Sequence, residues 1–261
     1  MEVVPLGSAD DVGRVAADIV EGLVRRTPAA VLGLATGSSP VPAYRELVRR
    51  HREGSGPSYD AVRCFTLDEY VGLPPGHPQS YRETIHRELT DDLGIPRDRV
   101  ASPDPDPDGL PKAGDRYEAA LRAAGGVDLQ VLGIGTDGHL AFNEPGSSLA
   151  STTRLKTLLE QTRQDNARFF DSVDDVPRHV LTQGLATILR ARHLLLMATG
   201  DSKAAVVAAA AEGPVSASCP ASVLQLHPHV TVLLDEAAAG ALERADHYRE
   251  VHAGKPDWQG Y

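Results

Sequence analysis

The sequence predicts an α/β fold in which a mostly parallel sheet is covered by helices on both faces. Short apolar runs alternate along the chain with segments whose apolar residues recur at helical spacing. Strands that alternate with helices in this way pair in parallel and are buried on both sides. The chain has 261 residues, of which 41% are hydrophobic, so it can build a substantial core. We therefore expect a single domain over residues 1–261.

The predicted strands are apolar runs, each followed by a polar or glycine-containing turn. They cover residues 29–35, 62–67, 128–134, 193–199 and 231–234. Asp10 and Asp11 suit the start of the first helix, and Pro40 suits the first turn of the second. The helical patterns lie at 12–24, 40–51, 80–93, 111–124, 160–170 and 177–189, and begin again at 201 and 236. Proline-rich loops are predicted at 72–78 and 103–109.

Charge and cysteine usage exclude several classes of partner. The net charge is −10, which argues against a nucleic-acid polymer, because phosphate backbones are bound through basic faces. Cys64 and Cys219 stand alone, as inert thiols in a reducing compartment do. No apolar run has transmembrane length, and the N-terminus does not resemble a secretory leader. We expect a cytoplasmic protein without membrane contact.

Two polar segments follow predicted strands. Thr36-Gly37-Ser38-Ser39 joins a strand to a helix start, where backbone N–H groups and hydroxyls can hold an anion. A capping turn without a ligand explains that segment slightly better when it is taken alone. Asp68 and Glu69 end the next strand, and an extended backbone points them to opposite sides. At most one of them faces a pocket, as a general base, and the alternative is a helix cap.

The loop after the third strand carries the strongest chemical signal. Residues 133–138 fit the dinucleotide pattern G-x-G-x-x-G, but Pro145 and Gly146 break the helix that this fingerprint requires. What remains is an imidazole, His139, between the carboxylates of Asp137 and Glu144. Such a set forms a carboxylate–imidazole relay suited to proton transfer near neutral pH. No second histidine stands at metal-ligand spacing, so we expect no metal.

Two cations are further candidates. Lys203 lies in the first turn of a predicted helix, where the helix dipole disfavours it, so an anionic ligand is one reason for its place. Arg168 lies in the helical pattern beside two phenylalanines. A solvated surface cation explains Lys203 equally well.

Taken together, the chain resembles the glucosamine-6-phosphate deaminase family over nearly its whole length. The resemblance lies in residues 34–40, 67–73, 133–145, 153–157 and 224–228. It implies a modified Rossmann-like fold with a helical lid at roughly 158–188. It also implies a metal-free and cofactor-free aldose–ketose isomerisation coupled to deamination, as in amino-sugar catabolism, with a sugar phosphate as the small-molecule partner.

The resemblance also implies roles for the candidate residues. His139, tuned by Asp137 and Glu144, opens the sugar ring, and Asp68 moves the proton between carbons 2 and 1. The phosphate is held by residues 36–39 together with Arg168 and Lys203. Family members controlled by an activator bind it near a subunit interface, so the resemblance is compatible with a homo-oligomer. The positions that match this activator site are Ser147, Arg154, Lys156 and Thr157.

Three alternatives compete with this interpretation. A 6-phosphogluconolactonase shares the fold and a similar histidine loop, but lacks the Asn-Glu-Pro that follows it here. A deaminase for galactosamine 6-phosphate would differ by one hydroxyl configuration. A sugar-phosphate sensor would be free to lose its acid–base groups, whereas Asp68, Asp137, His139 and Glu144 are all present.

Overall fold

The computed structural model describes residues 1–256 and 258–261, and a seven-stranded sheet forms its centre. Its strands are β1 (Glu2–Leu6), β2 (Val31–Leu34), β3 (Arg63–Thr66), β5 (Val100–Ala101), β6 (Leu129–Leu132), β9 (His193–Ala198) and β10 (Val230–Asp235). They lie in the order β1-β10-β9-β6-β2-β3-β5, and every neighbouring pair is parallel. The five predicted strands are confirmed. The edge strands β1 and β5 were not predicted.

α-Helices lie between the strands or, in one case, after the last of them. They are α1 (Ala9–Arg26), α2 (Val41–Arg52), α3 (Tyr81–Ile85), α4 (Ala113–Ala123), α5 (Glu160–Asn166), α6 (Leu185–Ile188), α7 (Ala204–Ala211) and α8 (Ala245–Ala253). All six residues of β9 are buried. Since successive strand residues point to opposite faces, both faces of the sheet are covered there, as the α/β prediction requires.

A second, three-stranded antiparallel sheet was not predicted. It consists of β4 (Asp68–Tyr70), β8 (His179–Thr182) and β7 (Arg154–Thr157), with β8 in the middle. The helix predicted over 177–189 is therefore wrong: β8 pairs on both sides, and only α6 remains helical. Backbone pairing with two neighbours outweighs the local helical pattern at this place. Within the predicted lid at 158–188, helical structure is limited to α5, the short turns at Ala167–Phe169 and Val173–Asp175, and α6, and β8 lies between the last turn and α6.

The last predicted helix begins later than expected. The Asp235 carboxylate accepts the N–H groups of Gly200, at 3.0 Å, and of Ala238, at 2.7 Å. Residues 236–241 form turns, and α8 begins only at Ala245. Within residues 1–256 and 258–261, no helix is long and apolar enough to span a membrane.

Candidate active site

Four neighbouring parallel strands bring the predicted site segments to one edge of the sheet. β9, β6, β2 and β3 are consecutive in the sheet, so their following loops meet. A Cβ on Gly133, after β6, would lie 3.2 Å from Ser39 Oγ in the loop after β2. Lys203, after β9, donates from Nζ to the Ile134 carbonyl at 2.7 Å. The structure thus places the anion loop, the His139 loop and Lys203 together, where parallel sheets bind ligands.

A carboxylate–imidazole pair lies at the centre of the His139 loop. Asp137 Oδ1 is 2.6 Å from His139 Nδ1 and accepts the His139 backbone N–H at 3.1 Å. The hydrogen bond from the imidazole lowers the pKa of the Asp137 carboxyl, which therefore stays ionised. An ionised carboxylate can only accept, so Nδ1 carries the proton and Nε2 is left as a base.

Two glycines allow this loop to approach its neighbours closely. A Cβ on Gly135 would lie 2.1 Å from Cε1 of the His139 ring. Gly138 has φ of 86°, and a Cβ there would lie 2.8 Å from Cys219 Sγ. The Ala221 N–H also donates to the Gly138 carbonyl at 2.9 Å. The imidazole therefore packs directly on the backbone. Residues 133–152 contain no helix, so the dinucleotide fingerprint lacks the element that it requires.

Glu144 is buried at the far end of the loop. Its Oε1 accepts the Thr162 hydroxyl of α5 at 2.7 Å, so it ties the predicted lid to the loop. Among the described residues, Asp137 is the one carboxylate within 4.0 Å of a His139 ring nitrogen. The structure brings Asp137 and His139 together and directs Glu144 toward the lid, and the three-membered relay stays a prediction.

Asp68 begins β4 and is buried. Desolvation, with a smaller contribution from the neighbouring Glu69 charge, raises the pKa of the Asp68 carboxyl to about 8. Its carboxylate accepts no hydrogen bond from the residues that the structure describes, which leaves both oxygens free to act as a base. A base whose pKa lies near the working pH is the kind that proton abstraction from carbon needs.

Glu69 points the other way, as the extended backbone predicted. Its carboxylate accepts the N–H groups of Tyr70 and Tyr81, both at 2.9 Å, and of Arg82 at 3.0 Å. It thus caps the start of α3 and joins β4 to that helix. The helix-cap alternative is correct for Glu69, and Asp68 is the carboxylate left for chemistry.

Glu69→Gln is expected to destabilise the fold. The amide places a donor among three N–H donors, and the free energy of unfolding should fall by about 2 kcal/mol. Urea unfolding measures this, with the exposed Glu250→Gln as the control. Equal midpoints for the two variants would contradict the capping role.

The predicted anion loop is short and open. Gly37 has φ of 98°, and Gly37 and Ser38 are exposed, while Thr36 and Ser39 are half-buried. Burial lowers the pKa of the Lys203 amine, although the Asp137 charge opposes that effect. A half-buried ammonium and exposed backbone donors are groups that can hold an anion, and the phosphate role of these residues stays a prediction.

Arg168 is not part of that cluster in the structure. It lies in the exposed turn after α5, with its guanidinium carbon 4.7 Å from the centre of the Phe169 ring. Of the candidate activator residues, Arg154, Lys156 and Thr157 form β7. Ser147 lies at the end of the His139 loop, buried, and its hydroxyl has no hydrogen-bond partner in the described structure.

Several residues of the site were missed at the level of sequence. Thr162 carries no local signal, and its role follows only from its contact with Glu144. Tyr70 stacks on Tyr81, with ring centres 4.7 Å apart, and accepts a hydrogen bond from Asn166 Nδ2 at 3.1 Å. Together with Phe142, these rings form an apolar wall beneath the lid. Aromatic residues near the strand-end acid were the one signal available for this wall.

Comparison with known proteins agrees with this geometry. The family model described as "Glucosamine-6-phosphate isomerases/6-phosphogluconolactonase" matches residues 7–233. The chain is 62% identical over 260 residues to a glucosamine-6-phosphate deaminase of Arthrobacter sp. strain FB24, and 60% identical over 261 residues to one of Rhodococcus jostii strain RHA1. In both cases 100% of each chain is covered.

Solved structures agree as well. A monomeric glucosamine-6-phosphate deaminase superposes with a TM-score of 0.88 at 41% identity, covering 92% of this chain and 100% of that one. A 6-phosphogluconolactonase of Trypanosoma cruzi superposes at 0.72 with 24% identity, covering 93% of this chain and 97% of that one, which supports the fold alone. The chain therefore belongs to the glucosamine-6-phosphate isomerase/6-phosphogluconolactonase family.

Proposed function

We propose that this chain is a glucosamine-6-phosphate deaminase, which converts glucosamine 6-phosphate and water to fructose 6-phosphate and ammonium. Its full-length relatives at 56–62% identity carry that name. The observation that carries the proposal is the buried Asp68 carboxyl, with its pKa raised to about 8, near the sheet edge that holds the Asp137–His139 pair. Isomerisation needs such a base, and ring opening needs such an imidazole.

Ring opening is the first step. His139 Nε2 takes the proton from the hydroxyl on carbon 1, the bond from carbon 1 to the ring oxygen breaks, and the imidazolium returns a proton to that oxygen. Asp137 stabilises the imidazolium through Nδ1, which lies 2.6 Å away. The open chain then presents an aldehyde at carbon 1 and an amine at carbon 2.

Isomerisation and deamination follow. The Asp68 carboxylate takes the proton from carbon 2 while the protonated amine of the substrate passes a proton to the oxygen on carbon 1, which gives an enolamine with a double bond between carbons 1 and 2. The same carboxyl group returns that proton to carbon 1, leaving an iminium at carbon 2. Water adds to the iminium carbon 2 and its proton passes to the nitrogen, so ammonium leaves and the product is the ketose. The apolar wall of Tyr70, Tyr81 and Phe142 supports the isomerisation, since it limits the access of bulk water to the enolamine.

Phosphate binding is assigned to residues 36–39 and Lys203, with Arg168 joining when the lid covers the substrate. Lys203→Met is expected to raise KM about tenfold, because it removes one charge-assisted contact, and to change kcat less. Steady-state kinetics measure this, with the exposed Lys112→Met as the matched control. An unchanged KM in Lys203→Met would remove Lys203 from the phosphate site.

The test of the proposed function is an assay of products. The protein is incubated with glucosamine 6-phosphate, and ammonium and fructose 6-phosphate are measured together. Equal amounts of the two are expected, and no ammonium above background would contradict the proposal. Parallel reactions with galactosamine 6-phosphate and 6-phosphogluconolactone test the alternatives. The solved lactonases are 24% identical or less, and His139 and Asp137 alone would suit either reaction.

An activator site at β7 extends the proposal. A cavity of about 300 Å³ opens beside Thr153, Arg154 and Leu155, next to the strand that carries Lys156 and Thr157. We expect N-acetylglucosamine 6-phosphate to turn a sigmoidal rate curve hyperbolic, and Arg154→Met to abolish that response. A hyperbolic curve that the ligand leaves unchanged would contradict it. The homo-oligomer stays a prediction, which sedimentation velocity measures directly.

We propose that the enzyme acts in the cytoplasm and binds neither nucleic acid nor a membrane. The two thiols support it, since Cys64 and Cys219 are both unpaired, as cysteines in a reducing compartment are. The net charge of −10 further opposes binding to a nucleic-acid backbone.

A further inference from the structure

We propose that Gln183, at the end of β8, is a positioning residue that holds the Asp68 strand and the His139 loop in register. The inference rests on the proposed deaminase function, because it concerns the alignment of the two groups that act in turn on one sugar. Gln183 is hydrogen-bonded to both segments at once, to Leu67 directly before Asp68 and to Asn143 directly before Glu144.

On one side, Gln183 fixes the chain that leads into Asp68. Its backbone N–H donates to the Leu67 carbonyl at 2.8 Å. Its side-chain Nε2 donates to the Thr66 carbonyl at 3.1 Å, which also accepts the Tyr117 hydroxyl at 2.7 Å. Two consecutive carbonyls directly before Asp68 are thus tied to one residue.

On the other side, Gln183 fixes the loop that carries His139 and Glu144. Its carbonyl accepts Asn143 Nδ2 at 2.8 Å, and the same amide donates to the Leu140 carbonyl at 2.9 Å. Asn143 therefore connects the residue after His139 to Gln183, and it directly precedes Glu144. The Gln183 carbonyl also accepts the Thr182 hydroxyl at 3.3 Å. Three of these four hydrogen bonds at Gln183 use its backbone, so its side chain can be changed without removing the loop bond.

These hydrogen bonds are buried, so they fix the relative position of the Asp68 strand and the His139 loop. Gln183 is 1% exposed and Asn143 is fully buried, so water cannot replace a lost partner there. The loop also contains Ala141 at φ of 52°, an uncommon conformation for a residue with a side chain, which persists only where the surrounding contacts fix it. Reacting groups have to be held to within roughly 0.5 Å, and Gln183, next to Thr182, joins the two segments.

The experiment compares Gln183→Leu and Gln183→Met with Gln130→Leu. Gln130 is also a fully buried glutamine, and its side chain donates to the Val131 carbonyl within the central sheet at 3.0 Å. All three changes remove one buried amide and its bond to a backbone carbonyl. They differ in whether that carbonyl precedes Asp68.

Both Gln183 variants are expected to lower kcat about thirtyfold and to leave KM within about twofold, because substrate binding is intact while Asp68 is misaligned. With substrate deuterated at carbon 2, the isotope effect on kcat should rise, since proton transfer becomes the slow step. Gln130→Leu should keep the wild-type kcat and isotope effect at a similar cost in thermal stability. Equal kinetic effects from Gln183 and Gln130 variants would overturn the proposal, as would the failure of both Gln183 variants to fold where Gln130→Leu folds.

A second measurement separates this proposal from the proposed function. The Asp68 carboxyl is titrated by carbon-13 NMR, assigned by the loss of its signal in Asp68→Asn. The midpoint should move in the Gln183 variants and stay unchanged in Gln130→Leu. If the wild type releases no ammonium, the proposed function fails, and this titration alone decides whether Gln183 positions Asp68. An unmoved midpoint would then overturn the positioning role.

Discussion

Asp68→Asn abolishes turnover of glucosamine 6-phosphate, with kcat at least about a thousandfold lower, and leaves substrate binding within a few-fold. The amide cannot take a proton from carbon 2, while the phosphate contacts lie on other strands. A kcat within tenfold of the wild type would contradict the assignment of Asp68 as the base. The exposed Asp98→Asn is the matched control and should keep full activity.

The wild-type rate should also depend on pH through this group. Asp68 acts when ionised, and its pKa is raised to about 8, so kcat/KM should fall as pH decreases through about 8. The decrease should disappear from the residual activity of Asp68→Asn. A profile flat from pH 9 to about pH 6 would show that Asp68 stays charged in the folded enzyme.

Asp68→Asn is also expected to stabilise the folded protein at neutral and alkaline pH. The folded pKa of about 8 exceeds the ordinary 3.8, so the folded state holds a proton that the unfolded state releases between these values. Stability from this group is therefore complete below about pH 4 and is lost as pH rises toward 8. At pH 8 the free energy of unfolding of Asp68→Asn should exceed that of the wild type by several kcal/mol, since each unit of pKa difference corresponds to about 1.4 kcal/mol. At pH 4 the two should be nearly equal.

Gly135→Ala is the second change with a large expected effect. The new methyl carbon would lie 2.1 Å from His139 Cε1, so the imidazole has to leave its place beside Asp137. We expect kcat to fall about a hundredfold with little change in melting temperature, because the ring is half-exposed and can move outward.

The control for Gly135→Ala is Gly22→Ala in α1. A methyl there meets only the mobile end of Arg26, at 3.3 Å, and activity should be unchanged. If Gly135→Ala acts through the ring, the double variant with His139→Gln should be no slower than His139→Gln alone. Additive losses would mean that Gly135 acts by another route.

Five of the seven strands of the central sheet could be predicted from the sequence because they are short apolar runs, and only the edge strands β1 and β5 were missed. β9, for example, has the sequence His-Leu-Leu-Leu-Met-Ala and is buried throughout. The three-stranded sheet could not be predicted in this way. β7 is half-exposed, and the residues of β8 fall within the helical pattern predicted over 177–189. Both strands form because distant segments of the chain pair with each other.

The residues of the site also differ in whether the sequence could predict them. Asp68, Asp137 and His139 could be found because they follow strands whose ends must meet at one edge. The partners that hold them could not, since Gln183 contacts Thr66 across 117 positions of chain, and Thr162 reaches Glu144 from another element. The sequence alone could not show which of the two acids, Asp68 or Glu69, is the helix cap. The N–H groups that the Glu69 carboxylate accepts at the start of α3 lie 12 and 13 positions further along the chain.

The buried acid at position 68 also bears on protein engineering. A library screened only for heat tolerance near neutral pH should enrich replacements of this acid, because each one relieves the cost of keeping a carboxyl group away from water. The most heat-tolerant clones would then include inactive ones. A selection for robust variants of this enzyme has to score catalysis and melting together, or keep position 68 fixed.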